Sequence, residues 1–445
     1  MIIKEAYAEN YTNYKKQKSF HAYPKNNLEI FKCINYANRK KIQILTVGSS
    51  LSWHDTIQNK KNLIINLKNY NKKIKLDSKK GTVSITGSVT IKSILKVICP
   101  KGWTLYSIPG TSEVTIGGCI SNDVHGKDSF KYGNFSEHVV SIDIITSSKK
   151  IVNISRIKHN ELFKTISGGL GLIGIIIGAT IKLKKFYPIY TKEIYKCDSY
   201  KEVIKEIYLN RNKYDYIFGW IDSYSKNKNI GRGIIYKSKI YQNSNKIKKF
   251  NFFNYLKKIV FNFSIKNTLF KYINFVFWHS HILKKKITID TYENIVFPLS
   301  GMDINIKSSL KKFSFIEVQI IIGKKFLPYG LKEFLVKCQE LKIDGFVVGI
   351  KMHKNNKNLI SFADNGISIN INYAFEEKNE KNALSKINHL QNFVVSKGYK
   401  IYLCKDALLK KKQICKIYKK FPTFIKNKKK YDRNNLFFSD FLRRI

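Results

Sequence analysis

The sequence predicts an α+β fold divided between two domains. Short runs that alternate apolar with polar residues, or that are dense in β-branched ones, recur irregularly along the chain. Helical spacing interrupts them only in places, so the regular strand–helix–strand succession of a parallel α/β protein is missing. At 445 residues the chain exceeds one core of ordinary size. Its 43% hydrophobic residues, with 13% aromatic, suffice for two cores and exclude a disordered chain.

Taken in order, residues 26–40 put Leu28, Phe31, Ile34 and Ala37 at helical spacing and predict an amphipathic helix. Ile42–Val47 is a β-rich run ending in Gly48-Ser-Ser-Leu-Ser-Trp-His-Asp55, a small-residue loop whose successive amides can cradle a phosphate. Leu63–Leu67, Lys73–Leu76 and Thr82–Thr86 are short strands, and residues 90–99 form a helix. Val139–Thr146 is a strand, Glu161–Ile166 a helical turn and Gly174–Leu183 a β-branched strand. Gly169-Leu-Gly-Leu-Ile-Gly174 satisfies G-x-G-x-x-G, but it follows a helical segment and precedes a strand, the reverse of the dinucleotide fingerprint. Those glycines are expected to be closely packed backbone. Lys184-Lys-Phe-Tyr-Pro188 marks a boundary, because proline stops the strand and the pattern changes. Beyond it, strands are expected at 216–221, 314–322, 345–351 and 367–373, and Lys400–Asp406 reads as a last strand.

The balance of 81 basic against 31 acidic residues gives a net charge of +50. Such a field attracts nucleic acid, anionic lipid or a phosphorylated substrate. Most of the excess is lysine spread through the whole chain, with no accompanying recognition motif, which suits compositional drift as well. A nucleic-acid-binding protein is the reading of another class, supported only by this charge and by residues 246–286, where lysines mix with aromatics. That stretch suits an anionic membrane interface equally. Seven cysteines at irregular spacing, without a C-x-x-C pair, point to reduced thiols in a cytoplasmic protein. No secretory signal is evident at the N-terminus, and the apolar run 166–181 is too short and glycine-rich for a membrane span. The protein is expected to be soluble, or peripheral at the inner membrane face. His279 and His281 lack a third ligand nearby, so no metal site is expected.

The chemistry concentrates in Ser107–Ser141. Gly110, Gly117 and Gly118 stand among small polar residues, allowing close approach of backbone to a ligand, and Asp123-Val-His-Gly-Lys127 follows with an imidazole two residues from an ammonium. The segment PGTSEVTIGGCISNDVHGKDS resembles the P-G-T-x-x-V-T-x-G-G-x-I-x-x-D-x-H-G-K signature of FAD-dependent oxidoreductases with the PCMH-type (vanillyl-alcohol-oxidase-like) flavin fold. Within that superfamily it is similar to the decaprenylphosphoryl-ribose 2-oxidases. Ser167–Ile181, Lys405-Asp406 and the terminal Phe438–Ile445 agree, in order.

The resemblance implies a PCMH-type FAD-binding domain over 1–187, an inserted α+β substrate or cap domain on an antiparallel sheet over 188–399, and a segment 400–445 returning to the FAD domain. It implies an FAD site made by Gly48, Ser49, Ser50, Leu51 and Ser52, by Pro109, Gly110, Thr111, Ser112, Val114, Thr115, Gly117 and Gly118, and by Ser121, Asn122, Val124, His125, Gly171, Ile176 and Tyr402. On the substrate side it implies Trp53, Lys127, Gln319, Lys351, Asn370 and Lys405. Catalytic roles fall to Lys405, which would anchor the hydroxyl, with His125 or Tyr402 in the proton path. Leu51 stands where covalently flavinylated relatives carry histidine, so FAD is expected to dissociate. Ser50 replaces a preferred glycine. Asn370 replaces a cysteine of the mycobacterial-type enzymes, so drugs that alkylate that thiol should fail here.

The implied reaction is hydride transfer from a secondary alcohol of a sugar to flavin N5. The substrate would be the 2-hydroxyl of a polyprenyl-phospho-ribose, a cell wall arabinan precursor, with a separate NAD-dependent short-chain reductase completing an epimerisation. An aldonolactone or alditol oxidase is the alternative. The lipid-linked substrate favours membrane contact through 246–286 over nucleic acid.

Overall fold

The computed structural model describes residues 2–8, 10–12, 16–242, 267–298, 314–343, 345 and 347–445. Of the basic aromatic stretch singled out above, residues 246–266 lie outside the described residues. The architecture is α+β, with three sheets taken up in chain order.

The first sheet comprises β1 (Ile3–Tyr7), β2 (Lys18–Ala22), β3 (Ile44–Val47) and β4 (Leu63–Asn66), in the order β1-β2-β4-β3. β4 runs parallel to both β2 and β3, so the chain must cross over between β2 and β3. The crossover is the helix Asn27–Lys40, capped by the Asn26 side chain accepting from the Glu29 amide. Its buried stripe is Ile30, Cys33, Ile34 and Ala37, whereas Leu28 is exposed. The buried face is therefore turned from the expected one: it is centred on Ile30, Cys33, Ile34 and Ala37, and Leu28, about 200° round the helix from Ile30, faces away from it.

The second sheet holds β5 (Ile74–Asp77), β6 (Thr82–Thr86), β7 (Trp103–Leu105), β8 (Val139–Ile145), β9 (Ile151–Ser155) and β10 (Ile175–Lys185). Its order is β5-β6-β10-β8-β9, with β7 on the far end of β10. β10 is central, and its first half, Ile175–Ala179, is wholly buried and rich in isoleucine, whereas lysines enter where its C-terminal end becomes exposed. The helix Asn160–Ile166 precedes the 169–174 glycines and β10 follows them, so the G-x-G-x-x-G string has no dinucleotide-fold context.

The third sheet is antiparallel, with eight strands: β11 (Ile189–Cys197), β12 (Tyr216–Ile221), β13 (Gly233–Ile240), β14 (Lys285–Thr291), β15 (Ser314–Gly323), β16 (Gly349–His353), β17 (Gly366–Phe375) and β18 (Lys400–Ile401). They lie in the order β14-β11-β13-β12-β16-β17-β15-β18. On β15 the residues Ile316, Val318, Ile320 and Ile322 are fully buried, with the helix Glu380–Ser396 packed against this strand and β17. Glu317 and Gln319 alternate with them and turn to the opposite face.

Lys400–Asp406 is not one strand. Only Lys400–Ile401 pairs, at the edge of the third sheet, and Leu403–Lys405 is a 3-10 turn closed by the Lys405 amide on the Tyr402 carbonyl. From there the chain runs back to the first sheet, where Phe437 bridges Ile44 and the helix Asp440–Arg444 packs on the turn His54–Ile57. Among the described residues no helix is long and apolar enough to cross a membrane, and no cluster of three metal-ligating side chains occurs.

Candidate active site

Two turns meet at the edge of β3. A Cβ placed on Gly48 would fall 2.2 Å from the Thr115 hydroxyl oxygen, so the loop after β3 and the turn at 109–118 are in direct contact. The Ser49 hydroxyl donates to the Glu113 carbonyl at 2.5 Å and fastens them further. Ser50 sits at φ +53°, in the left-handed region where glycine is cheapest, which accounts for a glycine being expected there. Thr115 caps the helix Ile116–Ser121 by accepting from the Gly118 amide, and the Gly117 amide donates to the Gly87 carbonyl at 2.8 Å. Gly171, at φ +73°, brings the 168–174 turn close to Thr46 on β3.

These turns fit the cofactor implied by the sequence. The amides of Ser49–Ser52 and of Gly110, Thr111 and Ser112 find no acceptor among the described residues. They line half-buried backbone, and Gly110 faces open space, so a row of donors is left for the pyrophosphate of a dinucleotide.

Next to the turns, Asn122 links three segments. Its amide donates to the Ser52 hydroxyl at 3.3 Å, its carbonyl accepts from the Tyr402 hydroxyl at 2.8 Å, and its side-chain oxygen accepts from the Cys404 thiol at 3.1 Å. Ser121 accepts from the Leu170 amide through its carbonyl, while Val124 is half-buried and Ile176 is buried on β10.

The polar face of the third sheet covers His125. Register places Lys351 beside Ser368, Gln319 beside Asn370 and Glu317 beside Asn372. The Gln319 amide nitrogen lies 3.0 Å from His125 Nε2, and the Lys351 ammonium 3.4 Å from Nδ1. Burial above all, then the Lys351 charge, holds the His125 imidazole well below its ordinary pKa, so it is neutral. A neutral ring has one acceptor, which the ammonium claims at Nδ1. Nε2 then carries the proton, and Gln319 must present its oxygen to it. His353, Phe362 and Tyr402 pack their rings around the imidazole at 4.7, 5.7 and 5.5 Å between centroids. Burial also drives His353 down to about 3 and Tyr402 well above its usual value, so neither titrates near neutrality.

The three lysines differ in their engagement. Lys405 is not a free cation: it is ion-paired with buried Glu317, and its ammonium lies 4.8 Å from the Trp53 ring centroid. Lys127 donates to the Val296 carbonyl at 2.5 Å, and burial brings it to about 7, with the Lys351 charge adding to the effect. Lys351 comes down to about 8, chiefly through burial and then through Lys405. Asn370 is half-buried and spends its amide on backbone, accepting from the Gly349 amide and donating to the Val347 carbonyl. Its first task is therefore to hold the start of β16, a demand that no single-strand reading could reveal.

Sequence reasoning missed Glu317, His353 and Phe362. Glu317 carried a signal, since in Ser314-Phe-Ile-Glu-Val-Gln-Ile-Ile-Ile the acid and the amide stand two apart within an otherwise apolar strand.

Residues 19–155 match the sequence profile described as "FAD binding domain". A decaprenylphosphoryl-β-D-ribose oxidase of Mycolicibacterium smegmatis is 29% identical over 43% of this chain and 42% of its own length. A D-arabinono-1,4-lactone oxidase of Candida glabrata is 26% identical over 50% of this chain and 42% of its own. A mitochondrial L-galactono-1,4-lactone dehydrogenase of Arabidopsis thaliana is 28% identical over 36% and 26%. The chain thus spans less than half the length of these curated relatives. The contacting turns at 48–52 and 109–118 both lie within residues 19–155, so this part of the chain is similar to an FAD binding domain.

Proposed function

We propose that the chain is an FAD-dependent oxidase or dehydrogenase acting on a secondary alcohol of a sugar, the 2-hydroxyl of a polyprenyl-phospho-ribose. The observation that carries the proposal is the facing of two halves. His125, Asn122 and Trp53 come from the segments that bear the glycine turns, and Lys351, Gln319 and Glu317 from one face of the third sheet. The corresponding division is 1–187 for the FAD part, 188–399 for the cap and 400–445 for the returning segment.

FAD supplies the two-electron acceptor. It is held without a covalent bond, since Leu51 offers no nucleophile, by amides of 48–52 and 109–118 with Val114, Ser121, Val124, Gly171 and Ile176 around it. Lys405, fixed by Glu317 and Trp53, orients the substrate hydroxyl and stabilises negative charge as its proton leaves. Neutral His125 acts as a relay: its one acceptor, Nδ1, is engaged by Lys351, so it receives a proton there only as Nε2 gives one up. Tyr402 stays protonated and keeps Asn122 in place.

Lys351 and Lys127 supply the positive field for a phosphorylated substrate. Because their pKa values are about 8 and about 7, that field fades as pH rises through 7–8. The Michaelis constant of a phosphorylated sugar is expected to rise over that range, and that of an uncharged sugar to stay flat; steady-state kinetics against pH checks this. Folding disfavours both ammonium forms, so the unfolded chain binds more protons and stability increases with pH between about 7 and 10.5. Lys351→Met is accordingly expected to raise the melting temperature while weakening substrate binding.

Membrane contact is part of the proposal. Tyr272, Phe275, Val276, Ile282 and Leu283 are exposed beside Lys271 and Lys284–Lys286, a pairing suited to an anionic lipid surface. Cosedimentation with vesicles is expected to require anionic lipid and to drop several-fold in Phe275→Ser/Leu283→Ser.

A second reading, an aldonolactone oxidase, is favoured by the match covering half the chain. Anaerobic mixing decides between the two. Bleaching of the flavin by a lipid-linked ribose phosphate and not by aldonolactones supports the first, and the reverse supports the second. A separate reductase would consume the keto product.

A further inference from the structure

Arg444 is next to the last residue of the sequence and lies on the helix Asp440–Arg444. Its guanidinium is nearly buried between two carboxylates. Nε donates to Asp55 at 2.6 Å, Nη2 is ion-paired with Asp406 at 2.8 Å, and Nη1 donates to the Leu409 carbonyl. Asp55 is two residues after Trp53, and Asp406 directly follows Lys405. The guanidinium therefore joins the two segments whose side chains, the Trp53 ring and the Lys405 ammonium, face each other on the substrate side.

The supports of this bridge are independent of the guanidinium itself. The Asp440 amide donates to the Gln58 carbonyl, the Asp440 carboxylate accepts from the Lys60 amide, and Phe441 is fully buried. The second oxygen of Asp406 accepts from the Gln391 side chain and from the amides of Leu408 and Leu409. The Asp406 carboxylate and the helix that bears Arg444 are thus each held by other contacts, and a planar fork of set width spans from Asp406 to Asp55.

We propose that Arg444 is a positioning residue: its fork sets the separation between the Trp53 loop and the Lys405 turn, and so the shape of the substrate side. This rests on the substrate roles given to Trp53 and Lys405. One consequence needs no substrate at all. Cys404 lies in the Lys405 turn, buried, with its thiol pushed up to about 12 chiefly by burial, so in the intact protein it is inert.

The test is the alkylation rate of individual cysteines in the FAD-loaded chain, read by peptide mass, for wild type, Arg444→Ala and Arg444→Lys. Arg444→Ala is expected to speed Cys404 at least about tenfold while Cys33 and Cys119 keep their rates, and millimolar guanidinium to restore protection where ammonium does not. Arg444→Lys, which keeps the charge but loses the fork, is expected to fall between, and it carries the test if the alanine variant does not fold. An unchanged Cys404 rate in a folded variant overturns the proposal, as does an equal rise at all three cysteines. With a sugar that the enzyme oxidises, the Michaelis constant is expected to rise with the Cys404 rate and to fall again with guanidinium. Absence of turnover with every sugar would contradict the proposed activity and leave the alkylation result standing by itself.

Discussion

Lys405→Met is expected to cut turnover by about 10²–10³-fold, the usual effect of deleting a group that stabilises charge in a transition state. It is also expected to destabilise the chain. Glu317 is buried on β15 with Lys405 as its ion-pair partner, and removing that partner leaves a buried carboxylate without compensation. Breaking a buried pair in this way costs about 3–5 kcal/mol. The lower end applies here, because the lysine side chain keeps 24% of its surface exposed. Lys405→Met/Glu317→Gln separates the two effects. It is expected to recover most of the thermal stability and none of the turnover, as measured by melting curves and steady-state rates.

Gly48→Val is expected to abolish the cofactor site. Even the first side-chain atom would fall 2.2 Å from the Thr115 hydroxyl, and the other nearby atoms belong to the same threonine. Thr115 also caps the helix Ile116–Ser121, so it cannot swing away without freeing the Gly118 amide. The two turns would be forced apart, and FAD affinity is expected to drop by about 10²-fold or more, equivalent to about 3 kcal/mol. Gly48→Ala/Thr115→Ala removes the object of the collision and is expected to regain part of that affinity, at a cost of about 1 kcal/mol for the lost cap. Absorbance titration with FAD measures both variants.

The sequence carried the strands of the third sheet well where burial is one-sided or complete. Tyr216–Ile221, Ser314–Gly323 and Gly366–Phe375 fall within two residues of expectation, since they are short runs dense in β-branched and aromatic residues. β11, β13 and β14 were not legible: each mixes two lysines with its apolar residues, and β14, Lys285-Lys-Ile-Thr-Ile-Asp-Thr291, buries none of its residues fully. Lys400–Asp406 looked like a single strand because Ile401 and Leu403 are apolar and alternate. The turn there is imposed by long-range partners, with the Tyr402 amide on the Gln319 carbonyl and its hydroxyl on Asn122.

In the candidate site, the glycine turns were legible because closely approaching backbone restricts residue type locally. The engagement of the polar groups was not. The Lys405–Glu317 pair spans 88 residues, the Lys351–His125 contact 226 and the Arg444–Asp55 pair 389. No periodicity or local composition encodes such separations. The register of the third sheet sets Lys351, Gln319 and Glu317 on one face, and the return of the last helix to the turn His54–Ile57 brings Arg444 to Asp55.

The most direct measurement is titration of the purified, folded chain with FAD, followed by denaturation and recovery of the flavin. The account predicts saturable uptake with the yellow colour of a bound flavin, loss of uptake in Gly48→Val, and release of intact FAD on unfolding. A folded wild-type chain that takes up no FAD, or one that retains it covalently after denaturation, would contradict it.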